Sequence, residues 1–126
     1  MSVDLTTLSA AVAAEGIRSG QLTSEALTAA CLKRIEDTDG QIKAWAWLDP
    51  EYAMAQAREA DQIRRAGRGL GALHGVPVGL KDIIDTRVGP TQRGSELYTG
   101  REAKRDARLV ERLVAAGAVI MGKTAT

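Results

Sequence analysis

The chain has 126 residues, 44% of them hydrophobic and 26% charged, which is the balance of one ordinary folded domain. Seventeen basic and sixteen acidic residues are mixed along the chain and leave a net charge of +1, so no basic patch predicts nucleic acid or an anionic membrane as a partner. No apolar stretch is of membrane-spanning length, the start lacks the basic region of a secretory signal, and a single cysteine cannot form an internal disulfide. We therefore expect a cytoplasmic protein.

The first predicted element is a helix over roughly residues 6 to 19. Leu5, Leu8 and Val12 are spaced three and four apart, which is the period of one helix face. Gly20 follows the last residue of this pattern and is suited to the left-handed conformation that often ends a helix.

A second helix is predicted to begin after Thr23, whose hydroxyl can cap it. Leu27, Cys31 and Ile35 form its apolar stripe at fourfold spacing. Cys31 on this stripe is expected to be a buried thiol rather than a nucleophile. The two helices together predict a helical hairpin over residues 1–40.

Strands and helices alternate in the remainder, residues 41–126. The segment "KAWAWLD" alternates like a strand and ends at Asp49-Pro50, a strong signal for a helix over roughly 50–65. The segment "VPVGLKDIIDT" predicts one or two short strands, and "RVGPTQRGSELYTG" predicts a loop. A fourth helix is predicted over roughly 105–116, ended by Gly117 and followed by a short strand in "AVIMG". The expected class is α/β, in one domain.

The stretch "GAVIMGKT" fits the phosphate-loop pattern G-x-x-x-x-G-K-[ST]. A working phosphate loop needs a strand before it and a helix after it, whereas here a predicted helix comes first. Val119 and Ile120 in its middle favour extended backbone. We therefore expect a helix–glycine–strand connection and no nucleotide cofactor, with Lys123 a solvated or loop-anchoring lysine.

Lys81 is the first candidate catalytic residue, because it follows the apolar run "GVPVGL" and a strand there would carry its stem into the interior. In one interpretation it is a strand-end lysine paired with Asp82 or Asp85. In the other it is a buried lysine whose pKa is lowered by desolvation, so that its neutral amine acts as a general base. The residues around it leave both interpretations open.

Several separate blocks of the chain resemble the amidase signature family. These blocks are "GALHGVPVGLKDIIDT", "GPTQRGSELYTG" and "DARLVERLVAAGAVIMGKT", preceded by "LTSEALTAACLKRIE" and "AWAWLDPEYAMAQAREAD". The resemblance covers nearly the whole chain and implies an N-terminal helical hairpin followed by part of the mixed-sheet amidase-signature fold.

The resemblance also implies a chemistry, since such enzymes cleave C–N amide bonds with a Ser–cis-Ser–Lys triad. Lys81 matches the lysine of the family's G-x-P-x-x-x-K-D block, and Asp82 beside it is given no chemical role. Both serines of the triad belong to a glycine- and serine-rich segment that follows the "GKT" block, so we expect a truncated segment that is inactive by itself. Ser95 is expected to be a turn residue, and His74 is expected to be structural.

The resemblance implies a small-molecule amide as substrate and no cofactor or metal. Two alternatives stay open: a segment like the A-subunit of an amidotransferase, and a non-catalytic assembly protein derived from an amidase. For the second, a partial sheet with an exposed "AVIM" strand would allow homo-oligomers to form through its edges.

Overall fold

The computed structural model of the chain describes residues 3–126. Its helices are α1 (Ala10–Ser19), α2 (Ser24–Ile42), α3 (Pro50–Arg65) and α4 (Arg108–Ala115), with 3-10 turns at Leu5–Thr7 and Glu96–Tyr98, and its strands are β1 (Trp45–Leu48), β2 (Pro77–Lys81) and β3 (Val119–Thr124). The interleaving of helices and strands confirms the α/β class. No helix within residues 3–126 is both long and apolar enough to cross a bilayer.

Side-chain caps set where the helices begin. Thr23 accepts a hydrogen bond from the third amide of α2, and Asp49 does the same for α3, so both predicted starts are confirmed. The first helix begins later than predicted, at Ala10, because the Ser9 hydroxyl caps it and the preceding residues form a 3-10 turn. It ends at Gly20, which is left-handed at φ 83° as expected.

The three strands form one mixed sheet in the order β1-β3-β2. The central strand β3 pairs antiparallel with β1 and parallel with β2. The expectation that "AVIM" would be an exposed edge is therefore wrong, because β2 pairs with Val119 and Ile120 and all four residues of this stretch are buried. β1 does not extend as far as Ile120, and on that edge of β3 the side-chain amide of Gln56 pairs with the backbone instead. Its Nε2 donates to the Ile120 carbonyl at 2.8 Å, and its Oε1 accepts from the Ile120 amide at 2.9 Å.

Two apolar clusters hold these elements together. Ala13, Ile17 and Leu27 pack α1 against α2, which gives the predicted helical hairpin. A second cluster packs α4 against the sheet and contains Leu80 and Ile120. Because Leu80 directly precedes Lys81, the second cluster fixes the end of the strand that carries the candidate base.

Candidate active site

Lys81 is the last residue of β2 and lies opposite Thr124 in the parallel ladder. Side chains alternate along a strand, and it is Leu80 that enters the core, at 4% exposure, while Lys81 is exposed. The expectation that the stem of Lys81 runs into the interior is therefore wrong. Within residues 3–126 its amine makes neither a hydrogen bond nor an ion pair, so the pairing with Asp82 or Asp85 that one of the two interpretations included is not observed either.

Asp82 is buried in the turn that follows Lys81. Its amide donates to the Thr124 carbonyl at 2.9 Å, its carboxylate accepts from the Gln92 amide at 3.2 Å, and its carbonyl accepts from the Arg93 amide at 2.8 Å. This residue therefore orients the backbone around Lys81, and all these contacts are structural.

Lys123 is the buried lysine of the region, with 1% of its surface exposed. Its Nζ donates to the carbonyl oxygens of Ile84 and Pro90 and to Oγ1 of Thr91. Burial lowers the pKa of Lys123, and the negative charge of Asp82, 3.8 Å away, opposes that shift. The loop-anchoring alternative of the sequence analysis is thus confirmed, whereas the solvated alternative is wrong.

The phosphate-loop pattern does not form a phosphate loop. Gly117 follows α4 with φ 91°, and the residues after Ala118 form β3. The predicted helix–glycine–strand connection is confirmed. The signal that could have revealed the burial of Lys123 is its place inside an apolar strand, where a charge needs polar partners from elsewhere in the chain.

An ion pair connects the loop after Lys81 to the segment that precedes α4. The Arg101 guanidinium lies 2.9 Å from the Asp85 carboxylate and also donates to the Thr91 carbonyl at 3.3 Å. The hydrogen bond from Arg101 lowers the pKa of Asp85 below its ordinary value. Asp85 therefore pairs with Arg101, whereas the sequence analysis had considered only Lys81 as its partner.

The serine hydroxyls within residues 3–126 all make structural hydrogen bonds. Ser24 is fully buried and its hydroxyl donates to the Gly75 carbonyl at 2.7 Å. Ser95 caps the turn at Glu96–Tyr98, which confirms it as a turn residue. Ser9 caps α1 and Ser19 donates to a carbonyl of the same helix. Ser2 lies outside the described residues.

His74 and Cys31 are also accounted for by packing. The His74 ring is buried, and its Nε2 lies 2.8 Å from the Ala60 carbonyl, which ties the loop before β2 to α3. Cys31 is partly buried against the first cluster, and burial raises the pKa of its thiol. Among residues 3–126, no three His, Cys, Asp or Glu side chains are grouped so that they could hold a metal ion.

Comparisons with known proteins identify the family. The amidase family model matches residues 26–126. The chain is 45% identical over 116 residues to the glutamyl-tRNA(Gln) amidotransferase A-subunit of Chloroflexus aggregans, a match that covers 92% of this chain and 24% of that protein. It is 46% identical over 112 residues to the putative amidase AmiD of Mycobacterium tuberculosis, covering 89% of this chain and 24% of that protein.

The structural comparison agrees with the sequence comparison. The native peptide amidase of Stenotrophomonas maltophilia superimposes with a TM-score of 0.86 at 40% identity, over 94% of this chain and 24% of that chain. The present chain thus spans about a quarter of the length of the relatives it matches and corresponds to their N-terminal part. With a family match over four-fifths of its residues and the same fold over nearly all of them, the chain belongs to the amidase signature family.

Proposed function

We propose that this chain supplies the general base, Lys81, of an enzyme that hydrolyses C–N amide bonds. The observation that carries the proposal is the state of the Lys81 amine. It is exposed at the end of a strand whose preceding residue is locked in the core, and it has no partner among the described residues. A base needs a free lone pair in a fixed place, and the buried lysine, Lys123, has neither a free lone pair nor access to substrate.

In the proposed reaction the neutral Lys81 amine takes a proton from a serine, which in turn takes the proton of a nucleophilic serine. The serine oxygen attacks the amide carbon, and the leaving nitrogen receives the proton as the C–N bond breaks. Water then hydrolyses the acyl-serine ester. The amine must be neutral to begin this cycle, and enclosure of Lys81 by further residues of the enzyme would favour that form.

Neither serine of this mechanism is present among the serines described above, because each of those hydroxyls either caps a helix or turn or donates to a backbone carbonyl. We therefore propose that the 126-residue chain by itself is inactive. A base without a nucleophile and without oxyanion donors has nothing to activate. The proposal includes a small-molecule amide as substrate and a cytoplasmic location.

A second candidate function is amide transfer. The similarity to an amidotransferase favours it, because the same base could release ammonia for transfer instead of for loss to water. Such a protein would require partner subunits, whereas a simple amidase would not. The two functions are distinguished by whether ammonia release depends on glutamyl-tRNA and on added subunits.

The test uses the protein as expressed from its own gene, with release of ammonia from simple amides as the readout. Because general-base catalysis contributes about 10²–10⁴-fold, Lys81→Ala should lower kcat by about a hundredfold or more. Lys104→Ala, which removes another exposed lysine, should leave the rate unchanged. If Lys81→Ala keeps the rate of the unchanged protein, Lys81 is not the base. If the protein is inactive with every amide and with glutamyl-tRNA, a non-catalytic assembly role replaces the proposal.

A further inference from the structure

The most buried charged side chain in the described chain is one that the proposed reaction does not use. Lys123 is 1% exposed and is the largest of the fully buried side chains. It lies on the central strand β3 opposite Leu80, one position before the Thr124–Lys81 pair. Paired residues on neighbouring strands share a face of the sheet, so the ammonium of Lys123 lies on the opposite face from Lys81.

Oxygen atoms surround the side-chain nitrogen of Lys123. An ammonium has three N–H donors, and Nζ has three acceptors: the Ile84 carbonyl at 2.8 Å, the Pro90 carbonyl at 3.2 Å and Thr91 Oγ1 at 2.7 Å. The Asp82 carboxylate at 3.8 Å balances the charge. No donor remains for a ligand, so the group serves the fold of this segment.

The three acceptors lie at both ends of one loop. Ile84 comes shortly after β2 has ended at Lys81, and Pro90 and Thr91 come where the loop returns toward the sheet. Asp82, the residue next to Lys81, closes the same loop through the amides of Gln92 and Arg93. The ammonium therefore holds the start and the end of the loop together at a single point.

Lys81 itself has no comparable restraint. Its side chain is exposed and makes no polar contact within the described chain, so the position of its amine depends on the backbone from which it extends. That backbone is fixed on one side by Leu80 in the core and on the other side by the turn at Asp82. The second of these restraints is the one that Lys123 stabilises.

We infer that Lys123 is a positioning residue for Lys81: by binding both ends of the 82–91 loop, it fixes the place at which the Lys81 amine meets the reacting groups. The inference rests on the proposed role of Lys81. Misplacement of a catalytic group by about 1 Å can cost about a hundredfold in rate, so a loosened loop should act on kcat more than on substrate binding.

The test measures kcat, KM and the thermal midpoint in the protein as expressed from its own gene. Lys123→Met should lower kcat by about tenfold to a hundredfold and change KM little. Thr91→Val, which removes one acceptor while keeping the side-chain shape, should lower kcat by a smaller factor, and Thr91→Ser, which restores the hydroxyl, should recover it. Thr86→Val is the matched control, because Thr86 is also a buried threonine of this loop but its hydroxyl donates to Val88 instead.

Each outcome decides the inference. The inference is overturned if Thr91→Val leaves kcat unchanged or if Thr86→Val lowers kcat by the same factor. It is also overturned if kcat falls only in variants whose thermal midpoint falls, with KM changing by the same factor as kcat. If Lys123→Met does not fold, the three threonine variants give the answer. Failure of the proposed function is distinguished from failure of this inference, because it is the Lys81→Ala variant that would then retain the full rate.

Discussion

Asp61 gives the sharpest prediction about what holds the helical hairpin to the rest of the chain. Its carboxylate is 4% exposed on α3 and accepts hydrogen bonds from the first two amides of α2: Ser24 N at 2.8 Å and Glu25 N at 2.9 Å. Thr23 accepts the third amide of that helix at 3.0 Å. The amides at the start of α2 are thus supplied with acceptors, two of them by another helix.

The cost of Asp61→Ala follows from the burial of each donor. Ser24 is fully buried, so its amide would be left without a partner or water, at a cost of about 1–3 kcal/mol. Glu25 is exposed and its amide would bind water, so the loss there is about 0.5–1.5 kcal/mol. We expect the free energy of unfolding to fall by about 2–4 kcal/mol, a large part of the total for a domain of this size. Asp61→Asn retains one acceptor oxygen and should lose about half as much.

The assay is urea unfolding of the 126-residue chain followed by circular dichroism. Glu59→Ala is the control, because Glu59 is an exposed carboxylate on the same helix without a partner among the described residues, and it should change the stability by less than about 0.5 kcal/mol. The reasoning is refuted if Asp61→Ala unfolds at the same urea concentration as the unchanged chain, or if Asp61→Asn is as stable as the aspartate.

Two further predictions concern a buried hydroxyl and an ion pair. Thr28 is fully buried, and its Oγ1 has no hydrogen-bond partner among residues 3–126, so Thr28→Val should stabilise the chain by about 1 kcal/mol whereas Thr28→Ser should not. A loss of stability in the valine variant, measured by urea unfolding, would show that the hydroxyl has a partner. Arg101 lowers the pKa of Asp85 from its ordinary 3.8, so this pair stabilises the fold above that pH and stops doing so as the pH falls through the lowered pKa. Because both side chains are about a third exposed, Asp85→Asn should cost at most about 1 kcal/mol at pH 6. The cost should shrink as the pH falls through the lowered pKa of Asp85, and a difference that does not change with pH contradicts this explanation.

Local signals predicted the ends of most elements correctly. The third helix runs over Pro50–Arg65 as predicted, because Asp49-Pro50 supplies both a cap and a first residue with the right backbone angle. Gly20 and Gly117 end their helices because each adopts positive φ, which a glycine does without strain. These features depend on residues within one helical turn of each other, so they are readable from the sequence.

Only part of the candidate site could be predicted from the sequence. The family blocks pointed to Lys81 as the candidate base, and that role stays a prediction. The exposure of Lys81 was predicted wrongly, and the choice between a solvated and a loop-anchoring Lys123 was left open. Which lysine is buried depends on the alternation of β2 and on the arrival of Thr91 from a distant loop, and neither is encoded next to the lysines themselves. The cap that Asp61 provides for α2 was missed for the same reason, since the two elements are separated by a strand and a turn.

The order of the amino acids alone is enough to assign the class of fold, the starts and ends of most helices, the strand character of "AVIMG" and the family. Three features emerge only when the chain is folded: β3 is the central strand, Lys123 is buried, and the Lys81 amine makes no polar contact within residues 3–126. Propensities and caps act over a few residues, whereas the burial of a charge depends on partners that folding brings from 30 or more residues away.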